Sequence, residues 1–363
     1  MPKIKSIQVS RIDLELTRPY IIAFKQVNKV ENAVVTIQLD NGITGRGAGN
    51  PSEQVIGENL SNTMRSLGEA VEGNDRWQGL IGRDIADLEI LCKEIQYQLG
   101  ASPTARTALE IALFDCYGLW KNQPLVKLLG QKIDRLPTSI TIGIMSVEET
   151  ISEAEEYVER GFNYIKVKLG NDLEQDIERV AKLQERFKSS VKLRVDANQG
   201  YNLEETREFY SQTLAYNLEL IEQPLPADSI EEMRSLPKDM RRVLAADESL
   251  ISPADADRLI GNDPACGIFN IKLMKCGGIS QAQEISKIAD SNDIDLMWGC
   301  NDESIISISA ALHVALSCKH TRYLDLDGSL DLASDVVSGG FTIENGVMMV
   351  NDRPGLGLSE LLD

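Results

Sequence analysis

Long hydrophobic runs are missing from this sequence, because no apolar stretch approaches the roughly 20 residues needed to span a bilayer. The first residues, MPKIKSIQVSRIDLEL, lack the apolar core and the small-residue cleavage site of a signal peptide. The six cysteines include no C-x-x-C pair, so we expect free thiols and neither structural zinc nor disulfides. Together these absences predict a cytoplasmic protein with no membrane partner.

Positive charge and histidine are also scarce. The 37 Lys and Arg residues face 56 Asp and Glu residues, which gives a net charge of −19 and disfavours nucleic acid as a partner because phosphates would be repelled. The two histidines are His313, in an apolar helical stretch, and His320, just after it. We expect both to be structural, which argues against chemistry that uses a histidine base.

From about residue 138 the chain repeats a short β-rich run, a polar turn and an amphipathic helix. The eight runs are TSITIGI, NYIKVKL, VKLRVDA, LELIEQP, RRVLAADE, CGIFNIKL, IDLMWGC and TRYLDLD. Strands that alternate with helices at this spacing indicate βαβ units and a parallel sheet. The pattern predicts a closed (β/α)8 barrel of the TIM type, although the stretch after the eighth run, GSLDLASDVVSGG, is too short and glycine-rich to predict a helix.

The flanking regions have a different character. Two long strands, KSIQVSRIDLEL and NAVVTIQLD, precede helices near 58–73, 86–98 and 103–122, and the tail GFTIENGVMMVNDRPGLG indicates another hairpin. We therefore expect an α+β capping domain in 1–125, the barrel in 126–338 and a return of 339–363 to the capping domain. The stretch GRGAGN lacks the spacing and the following helix of a nucleotide-binding motif, so we interpret it as a plain glycine-rich loop.

Polar residues end each of the eight runs, at the end of the barrel where such folds carry their function. They are Thr141, Lys166 with Lys168, Asp196 with Asn198, Glu222, Asp247 with Glu248, Lys272, Cys300 with Asn301, and Asp325 with Asp327. Lys166 and Lys168 alternate with apolar residues, so both point into the barrel mouth, where uncompensated lysines would be unfavourable.

Carboxylates at neighbouring strand ends are expected to compensate the positive charges of these lysines. Asp196, Glu222 and Asp247 end three successive strands, and converging carboxylates are the hard oxygen ligands that Mg2+ prefers. A single acid after a strand is more often a helix N-cap, but three in succession beside lysines favour a metal site.

At this point the chain resembles a known family. The motifs K-V-K in YIKVKLG, D-A-N in RVDANQGY, E-Q-P in LIEQPL, D-E-S in AADESL and K-L-M-K in NIKLMKCGG resemble the muconate-lactonising-enzyme subgroup of the enolase superfamily. The resemblance covers essentially the whole chain, and it implies a modified barrel with a capping domain. It also implies Mg2+ as the cofactor, with Lys168 and Lys272 as two bases that face each other across the substrate.

The eighth strand narrows the implied reaction. Asp325 and Asp327 in YLDLDGSLDL resemble the D-x-D of the dipeptide epimerases, in which the acids hold the substrate's ammonium group, although they could equally be a solvated strand end or a cap. The resemblance then implies an isomerase that epimerises the α-carbon of the C-terminal residue of a dipeptide by 1,1-proton transfer. The alternatives left open are an N-acylamino acid racemase, an o-succinylbenzoate synthase and a non-catalytic binding barrel.

Specificity depends on the segment RPYIIAFKQVNK, predicted to be the loop that closes over the site. The Ala-Glu epimerases of the family use an arginine there, whereas this sequence has Ala23, Phe24 and Lys25, and lysine lacks the planar fork that grips a carboxylate. Phe24 could close an apolar lid or simply anchor the loop. We therefore predict Ala-Ala or Ala followed by a small or apolar residue as the substrate, with an Ala-Glu epimerase as the alternative.

The strand-seven pattern GCNDES differs from the family's G-S-M-x-E-S, and its residues are predicted to form the pocket wall. The expected partners are a small dipeptide and further copies of the same chain. The predicted substrate-binding residues are Lys166, Thr141, Phe24, Lys25, Cys300, Asn301, Asp302, Asp325 and Asp327.

Overall fold

This computed structural model describes residues 1–22, 25–73 and 79–360, with the side chains of 19–27, 54 and 360 left outside the description. Its strands are β1 (Ile4–Ile22), β2 (Lys25–Leu39), β3 (Thr44–Gly49), β4 (Leu136–Pro137), β5 (Ile140–Ile142), β6 (Tyr164–Lys168), β7 (Lys192–Asp196), β8 (Leu220–Glu222), β9 (Leu244–Ala246), β10 (Ile268–Ile271), β11 (Asp295–Gly299), β12 (Thr321–Asp325), β13 (Val337–Gly339), β14 (Phe341–Glu344), β15 (Val347–Val350) and β16 (Leu358–Glu360).

The α-helices connect these strands and build the flanking layers. They are α1 (Glu53–Ile56), α2 (Leu60–Glu72), α3 (Leu88–Gln98), α4 (Pro103–Lys121), α5 (Leu125–Leu128), α6 (Val147–Glu159), α7 (Leu173–Phe187), α8 (Leu203–Thr213), α9 (Ile230–Ser235), α10 (Lys238–Arg241), α11 (Pro253–Ile260), α12 (Leu273–Cys276), α13 (Ile279–Ser291) and α14 (Ile305–Ser317). Within the described residues, no helix is both long enough and apolar enough to cross a membrane.

Strands β5 to β12 form one parallel sheet in chain order. The sheet closes because Thr138 bridges Leu324 and the Ser139 N–H donates to the Leu324 carbonyl at 2.9 Å. The predicted (β/α)8 barrel is therefore confirmed. Within the described chain the stretch from β12 to β13 contains no helix, as its glycine content indicated.

Alternation along each strand divides the barrel into an apolar outside and a mixed inside. On β6, Ile165 and Val167 are fully buried against the helical layer, whereas Lys166 faces inward. The amino-terminal end of the barrel is filled by an apolar plug of Leu220, Ala245, Ile268 and Met297, with Tyr323 packed against it. The buried Arg194 lies at this end, against the Tyr323 ring and paired with Glu219, whereas the lysines and acids that end the strands lie nearer the carboxyl ends.

The capping region begins with the antiparallel sheet β1–β2–β3. Pairing of β1 with β2 continues to Ile22↔Lys25, so much of the segment predicted as a closing loop is strand. The segment forms strand instead of a loop because the backbone N–H and C=O groups of β1 and β2 hydrogen-bond to one another. Phe24 lies outside the described residues, and so does the side chain of Lys25.

The sequence GRGAGN is not a loop, and this prediction was wrong. All of it except Asn50 lies in β3, whose glycines face α4. A Cβ at Gly47 would lie 2.7 Å from the Ala112 nitrogen and would collide with the Ala108 carbonyl oxygen. The glycines are there because the helix approaches the strand too closely for a side chain.

The capping hairpin is joined to the barrel after its eighth strand. Leu16 on β1 bridges Leu332, and the Thr17 N–H donates to the Asp331 carbonyl at 2.8 Å. This contact lies in the helix-free stretch that follows β12. The hairpin of the first domain therefore borders the mouth of the barrel.

The C-terminal tail returns to earlier parts of the chain. The hairpin β14–β15 pairs with β4, and β16 pairs with β13. Beyond β15, the Gly355 carbonyl accepts a hydrogen bond from Leu125 N at 2.8 Å, and the Leu356 N–H donates to Asp115 Oδ1 at 2.8 Å. These contacts agree with a tail that completes the capping domain, while the boundaries 1–125, 126–338 and 339–363 remain a prediction.

Neither histidine belongs to the strand ends, and all six cysteines are free. His313 lies on α14, where its Nδ1 accepts a hydrogen bond from Val126 N at 2.9 Å, and burial lowers its pKa to about 4. His320 Nε2 lies 3.0 Å from Asp290 Oδ1 just before β12. Both positions agree with structural roles.

The close approach of β3 and α4 gives a testable prediction. We expect Gly47→Ala to lower the free energy of unfolding by about 1–3 kcal/mol, because its methyl group has no space against α4. Gly68→Ala is the matched control: it lies within α2 with no atom near its Cβ, and should raise stability by about 0.5–1 kcal/mol. Denaturant unfolding measures both, and an unchanged stability in Gly47→Ala contradicts the packing argument.

Candidate active site

Three buried acids lie at neighbouring strand ends, as predicted. Asp196 ends β7, Glu222 ends β8 and pairs with Asp196 in register, and Asp247 follows β9 directly. Their exposed fractions are 0%, 0% and 1%. Within the described part of the chain, no group of three or more His, Cys, Asp or Glu side chains is assembled as a metal site. Lysine side chains lie against these carboxylates instead.

Lys166 is the centre of this charge cluster. Its Nζ lies 3.1 Å from Asp196 Oδ2, 2.7 Å from Glu222 Oε2 and 2.8 Å from Asp325 Oδ2, with only 2% of the residue exposed. Burial alone would lower the pKa of Lys166, but the three carboxylates outweigh it and hold the pKa well above its ordinary value. Lys166 therefore stays charged.

The two predicted bases contact different members of the acid set. Lys168 Nζ donates to Asp196 Oδ2 at 2.7 Å and to Asn198 Oδ1 at 2.9 Å. Lys272 Nζ lies 2.9 Å from Asp247 Oδ2 and comes from the residue after β10. The strands thus bring both lysines to the same acidic layer from separate positions around the barrel.

Two further residues of this layer were not assigned from the sequence. Lys275 pairs with Asp247 Oδ1 and donates to the Asn270 carbonyl at 3.1 Å, and Asn270 Nδ2 donates to Glu222 Oε1 at 2.7 Å. Asn270 lies two residues before Lys272, so the period of a strand could have found it. Lys275 follows Lys272 by one turn of α12 and is the second lysine of the K-L-M-K motif, so the sequence could have identified it.

Burial, mutual repulsion and the neighbouring lysines give the three acids different pKa values. Burial raises the pKa of Glu222 to about 8, with Asp196 as the next contributor. Burial also opposes the charge on Asp196, but Lys168 and Lys166 outweigh it and hold its pKa at about 2. Lys272 and Lys275 likewise hold the pKa of Asp247 well below its ordinary value.

Two buried carboxylate oxygens at this layer receive no hydrogen bond. Glu222 Oε2 has the ion pair with Lys166 without hydrogen-bond geometry, and Glu248 Oε2 has no hydrogen-bond partner among the described residues. The other oxygen of Glu248 accepts from Asn198 Nδ2 at 3.1 Å. Buried carboxylate oxygens that accept no hydrogen bond, next to Asp196 and Asp247, are hard donors of the kind that hold a divalent cation.

The D-x-D pair does not act as one unit. Asp325 Oδ2 accepts from Lys166, and Oδ1 accepts from the Ser139 hydroxyl at 2.6 Å, so both oxygens are engaged inside the protein. Asp327 Oδ2 accepts the backbone N–H of Thr141 at 2.7 Å, and no lysine pairs with it among the described residues. Lys166 holds the pKa of Asp325 below its ordinary value against the effect of burial, whereas burial and Asp325 raise the pKa of Asp327 to about 7.

The predicted pocket wall follows β11. The Cys300 thiol lies 3.3 Å from the Asp325 carbonyl oxygen, and burial raises the pKa of the thiol well above its ordinary value, which disfavours a thiolate. The Asn301 N–H donates to Glu303 Oε1 at 2.9 Å, and its side chain reaches Asn50 of the capping region at 3.5 Å. The wall therefore joins the two parts of the protein.

Asp302 contributes to a second acidic group beyond the D-x-D pair. Burial, together with the carboxylates of Asp302 and Glu153, raises the pKa of Asp331 to about 6. Asp331 is also one of the groups that raise the pKa of Asp327. The mouth of the barrel is therefore acidic on the side of β12.

Phe24 and the Lys25 side chain, both predicted to face the substrate, lie outside the described residues.

A parallel barrel that gathers buried acids and lysines at the carboxyl ends of its strands has the architecture of an enzyme active site. The family profile described as "Enolase C-terminal domain-like" matches residues 149–360, and "Mandelate racemase / muconate lactonizing enzyme, N-terminal domain" matches residues 6–130. The chain belongs to this enolase-superfamily family of mandelate racemase and muconate lactonizing enzyme, as the sequence motifs implied.

Named relatives point to isomerases. An L-Lys-D/L-Arg epimerase of Desulforapulum autotrophicum is 52% identical over 99% of this chain and 100% of the relative. The L-Ala-D/L-Glu epimerase of Bacillus subtilis is 33% identical over 98% of this chain and 96% of the relative. The crystal structure of a dipeptide epimerase from Methylococcus capsulatus, complexed with Mg and the dipeptide L-Arg-D-Lys, has a TM-score of 0.93 and 49% identity, covering 98% of this chain and 99% of that chain. The prediction of an isomerase is confirmed.

The different environments of Asp325 and Asp327 predict different effects on stability. Asp325→Asn should lower the free energy of unfolding by about 3–5 kcal/mol, because it removes one partner of a buried ion pair. The folded-state pKa of Asp327 is raised to about 7, so its charge opposes folding increasingly as pH rises from its unfolded value towards 7. Asp327→Asn should therefore stabilise the protein at pH 8, and this gain should vanish below about pH 4.

Denaturant unfolding of the two variants at both pH values measures this difference. The two substitutions are matched in size and chemistry, and the residues lie two positions apart. Equal losses of stability at pH 8 would contradict the separate roles of the two acids.

Proposed function

We propose that the chain is a Mg2+-dependent dipeptide epimerase that inverts the α-carbon of the second residue by proton transfer between Lys168 and Lys272. The observation that carries this proposal is the pairing of the two lysines with different members of one buried acid set, Asp196 and Asp247. Inversion by 1,1-proton transfer needs one group to remove the proton and another to return it from the opposite face. Two lysines at separate positions of one barrel mouth meet that need.

Asp196, Glu222 and Asp247 would hold the Mg2+. Their hard oxygens fit such an ion, and Glu222 Oε2 and Glu248 Oε2 are buried without accepting a hydrogen bond. A bound Mg2+ stabilises the negative charge that develops on a substrate carboxylate when the adjacent proton leaves. The proposal agrees with the Mg present in the complex from Methylococcus capsulatus.

The lysines of the cluster have separate tasks. Lys166, enclosed by three carboxylates, keeps its charge and orients the acids. Burial alone would lower the pKa of Lys272, but Asp247 and Glu222 outweigh it and raise the pKa, so Lys272 carries a proton that it can donate to the α-carbon. Lys168 lies on β6, four strands away from β10 in the closed barrel, and serves the other face of the substrate.

Asp327 rather than Asp325 would bind the substrate ammonium. Asp325 already uses both oxygens on Lys166 and Ser139, whereas Asp327 has a raised pKa that a cation would bring down. A substrate with a free amine supplies that cation, whereas an N-acylated amino acid does not. This favours dipeptides over the N-acylamino acid racemase and o-succinylbenzoate synthase alternatives.

The acidic group around Asp331 favours a second positive charge on the substrate. Burial raises the pKa of both Asp327 and Asp331, and the neighbouring carboxylates add to the rise. Asp325 and Asp331 act on Asp327, whereas Asp302 and Glu153 act on Asp331 against the opposing effect of Arg160 and Arg18. A basic substrate side chain would lower both pKa values by compensating the negative charge. Relatives named L-Lys-D/L-Arg epimerases support the same choice. We therefore propose basic dipeptides such as Lys-Arg as substrates, ahead of the Ala-Ala or Ala-apolar dipeptides predicted from Phe24 and Lys25.

Metal dependence is the first test of this function. EDTA should abolish epimerisation and Mg2+ should restore it, because the developing charge is otherwise uncompensated. Mg2+ should also raise the melting temperature of the metal-free protein, and Glu222→Gln should reduce that rise. Full activity after complete metal removal would contradict the proposal.

Substrate preference is the second test. The value of kcat/KM for L-Lys-L-Arg should exceed those for L-Ala-L-Val, L-Ala-L-Ala and L-Ala-L-Glu by about tenfold or more, since a lost ion-pair partner in a desolvated site costs about 2–5 kcal/mol. Asp331→Asn should narrow the difference by weakening Lys-Arg turnover selectively. A clear lead for Ala-Ala or Ala-Val would instead favour the prediction made from the sequence, and a lead for Ala-Glu would favour the glutamate-specific alternative.

A further inference from the structure

The two lysines are held in the barrel in different ways. Lys168 is the last residue of β6 and pairs in register with Asp196 on β7. Lys272 lies beyond β10, as the N-cap of α12, which is a single turn followed by Gly277 and Gly278 with φ values of 83° and 118°. One turn of helix has little stability of its own, so the position of Lys272 depends on what packs around α12.

Helix α4 of the capping region packs on α12 from outside the barrel. The hydroxyl of Thr107, a fully buried residue, lies 2.9 Å from the Leu273 carbonyl and 2.9 Å from the Pro103 carbonyl, and shares its proton between them. The Asn50 N–H lies 3.4 Å from the Met274 sulfur. The capping region thus contacts the two residues that directly follow Lys272.

Glu110, one turn further along α4, holds the start of α13. Its carboxylate accepts a hydrogen bond from Ser280 N at 2.9 Å, and 1% of the residue is exposed. An acid at the first turn of a helix is favoured by the helix dipole. A Cβ at Gly278 would lie 2.6 Å from Glu110 Oε2, so the glycine leaves the space that this carboxylate fills. The guanidinium of Arg106 occupies the corresponding space over Gly277.

The opposite side of α12 is fixed by the acid layer. Lys275 on α12 pairs with Asp247 Oδ1, and Lys272 pairs with Asp247 Oδ2. The short helix is therefore held between one carboxylate inside the barrel and α4 outside it. A displacement of α4 relative to the barrel would move Lys272 while leaving the in-strand Lys168 in place.

We propose that Thr107 and Glu110 are positioning residues for Lys272, so that helix α4 of the capping region controls proton transfer at one face of the substrate. The inference rests on the proposed two-base function. Its consequence is one-sided: weakening the contact of α4 with α12 and α13 slows the exchange that Lys272 performs and spares the exchange that Lys168 performs.

The test follows deuterium uptake at the α-carbon of L-Lys-L-Arg and of L-Lys-D-Arg in D2O with saturating Mg2+. Lys168→Ala and Lys272→Ala first assign one stereoisomer to each lysine. Thr107→Val and Glu110→Gln should then slow uptake on the Lys272 face by about tenfold or more and on the Lys168 face by less than about twofold, because small misplacements of a catalytic group reduce the rate steeply. Thr107→Ser keeps the hydroxyl and should restore the ratio of the two rates.

Asp115→Asn is the matched control on the same helix. Asp115 is also buried, but it accepts from Arg46 N and Leu356 N, away from α12. Its replacement should leave the ratio of the two exchange rates unchanged, and partial unfolding of any variant lowers both rates together. An unchanged ratio in Thr107→Val and Glu110→Gln overturns the inference alone, whereas wild-type protein that exchanges neither isomer overturns the two-base function and the positioning role with it.

Discussion

The ammonium group of Lys166 is enclosed by carboxylates from three strands, β7, β8 and β12, and its own strand is β6. Buried charges are tolerated only when their partners are in place, so these strands must close in the register that brings the four groups together. The same closure sets Asp196 beside Lys168 and leaves Asp327 with its raised pKa. The geometry of the barrel mouth therefore depends on this one lysine and its neighbours.

The barrel could be predicted from the sequence because each strand carries its own signal. Apolar alternation and a polar strand end recur in every βα unit, and β5 to β12 lie where the eight runs indicated. The stretch GRGAGN carries no such signal, since the reason for its glycines is the surface of α4, more than fifty residues away in the chain. Close packing between distant elements leaves no periodic trace in the sequence.

The candidate site shows the same division between local and distant information. Asp196, Glu222 and Asp247 were predicted because each ends a strand, but the two acids of the D-x-D motif received one shared role. Their environments differ because Lys166 and Ser139 reach Asp325 from across the closed barrel, and no spacing in the chain records that contact. Family motifs identify which residues matter, whereas the partners of each residue emerge only from the closed structure.

The helix-free stretch after β12 has a consequence for biosynthesis. Where another βα unit has a helix, this stretch contacts the first strand through Leu16 and Thr17. The tail forms hydrogen bonds with residues of α4 and α5. At about 5–20 residues per second, translation delivers these partners tens of seconds after the amino-terminal sheet has left the ribosome. The amino-terminal third of the protein therefore stays incomplete, with these contact surfaces exposed, until the segments after β12 have been synthesised.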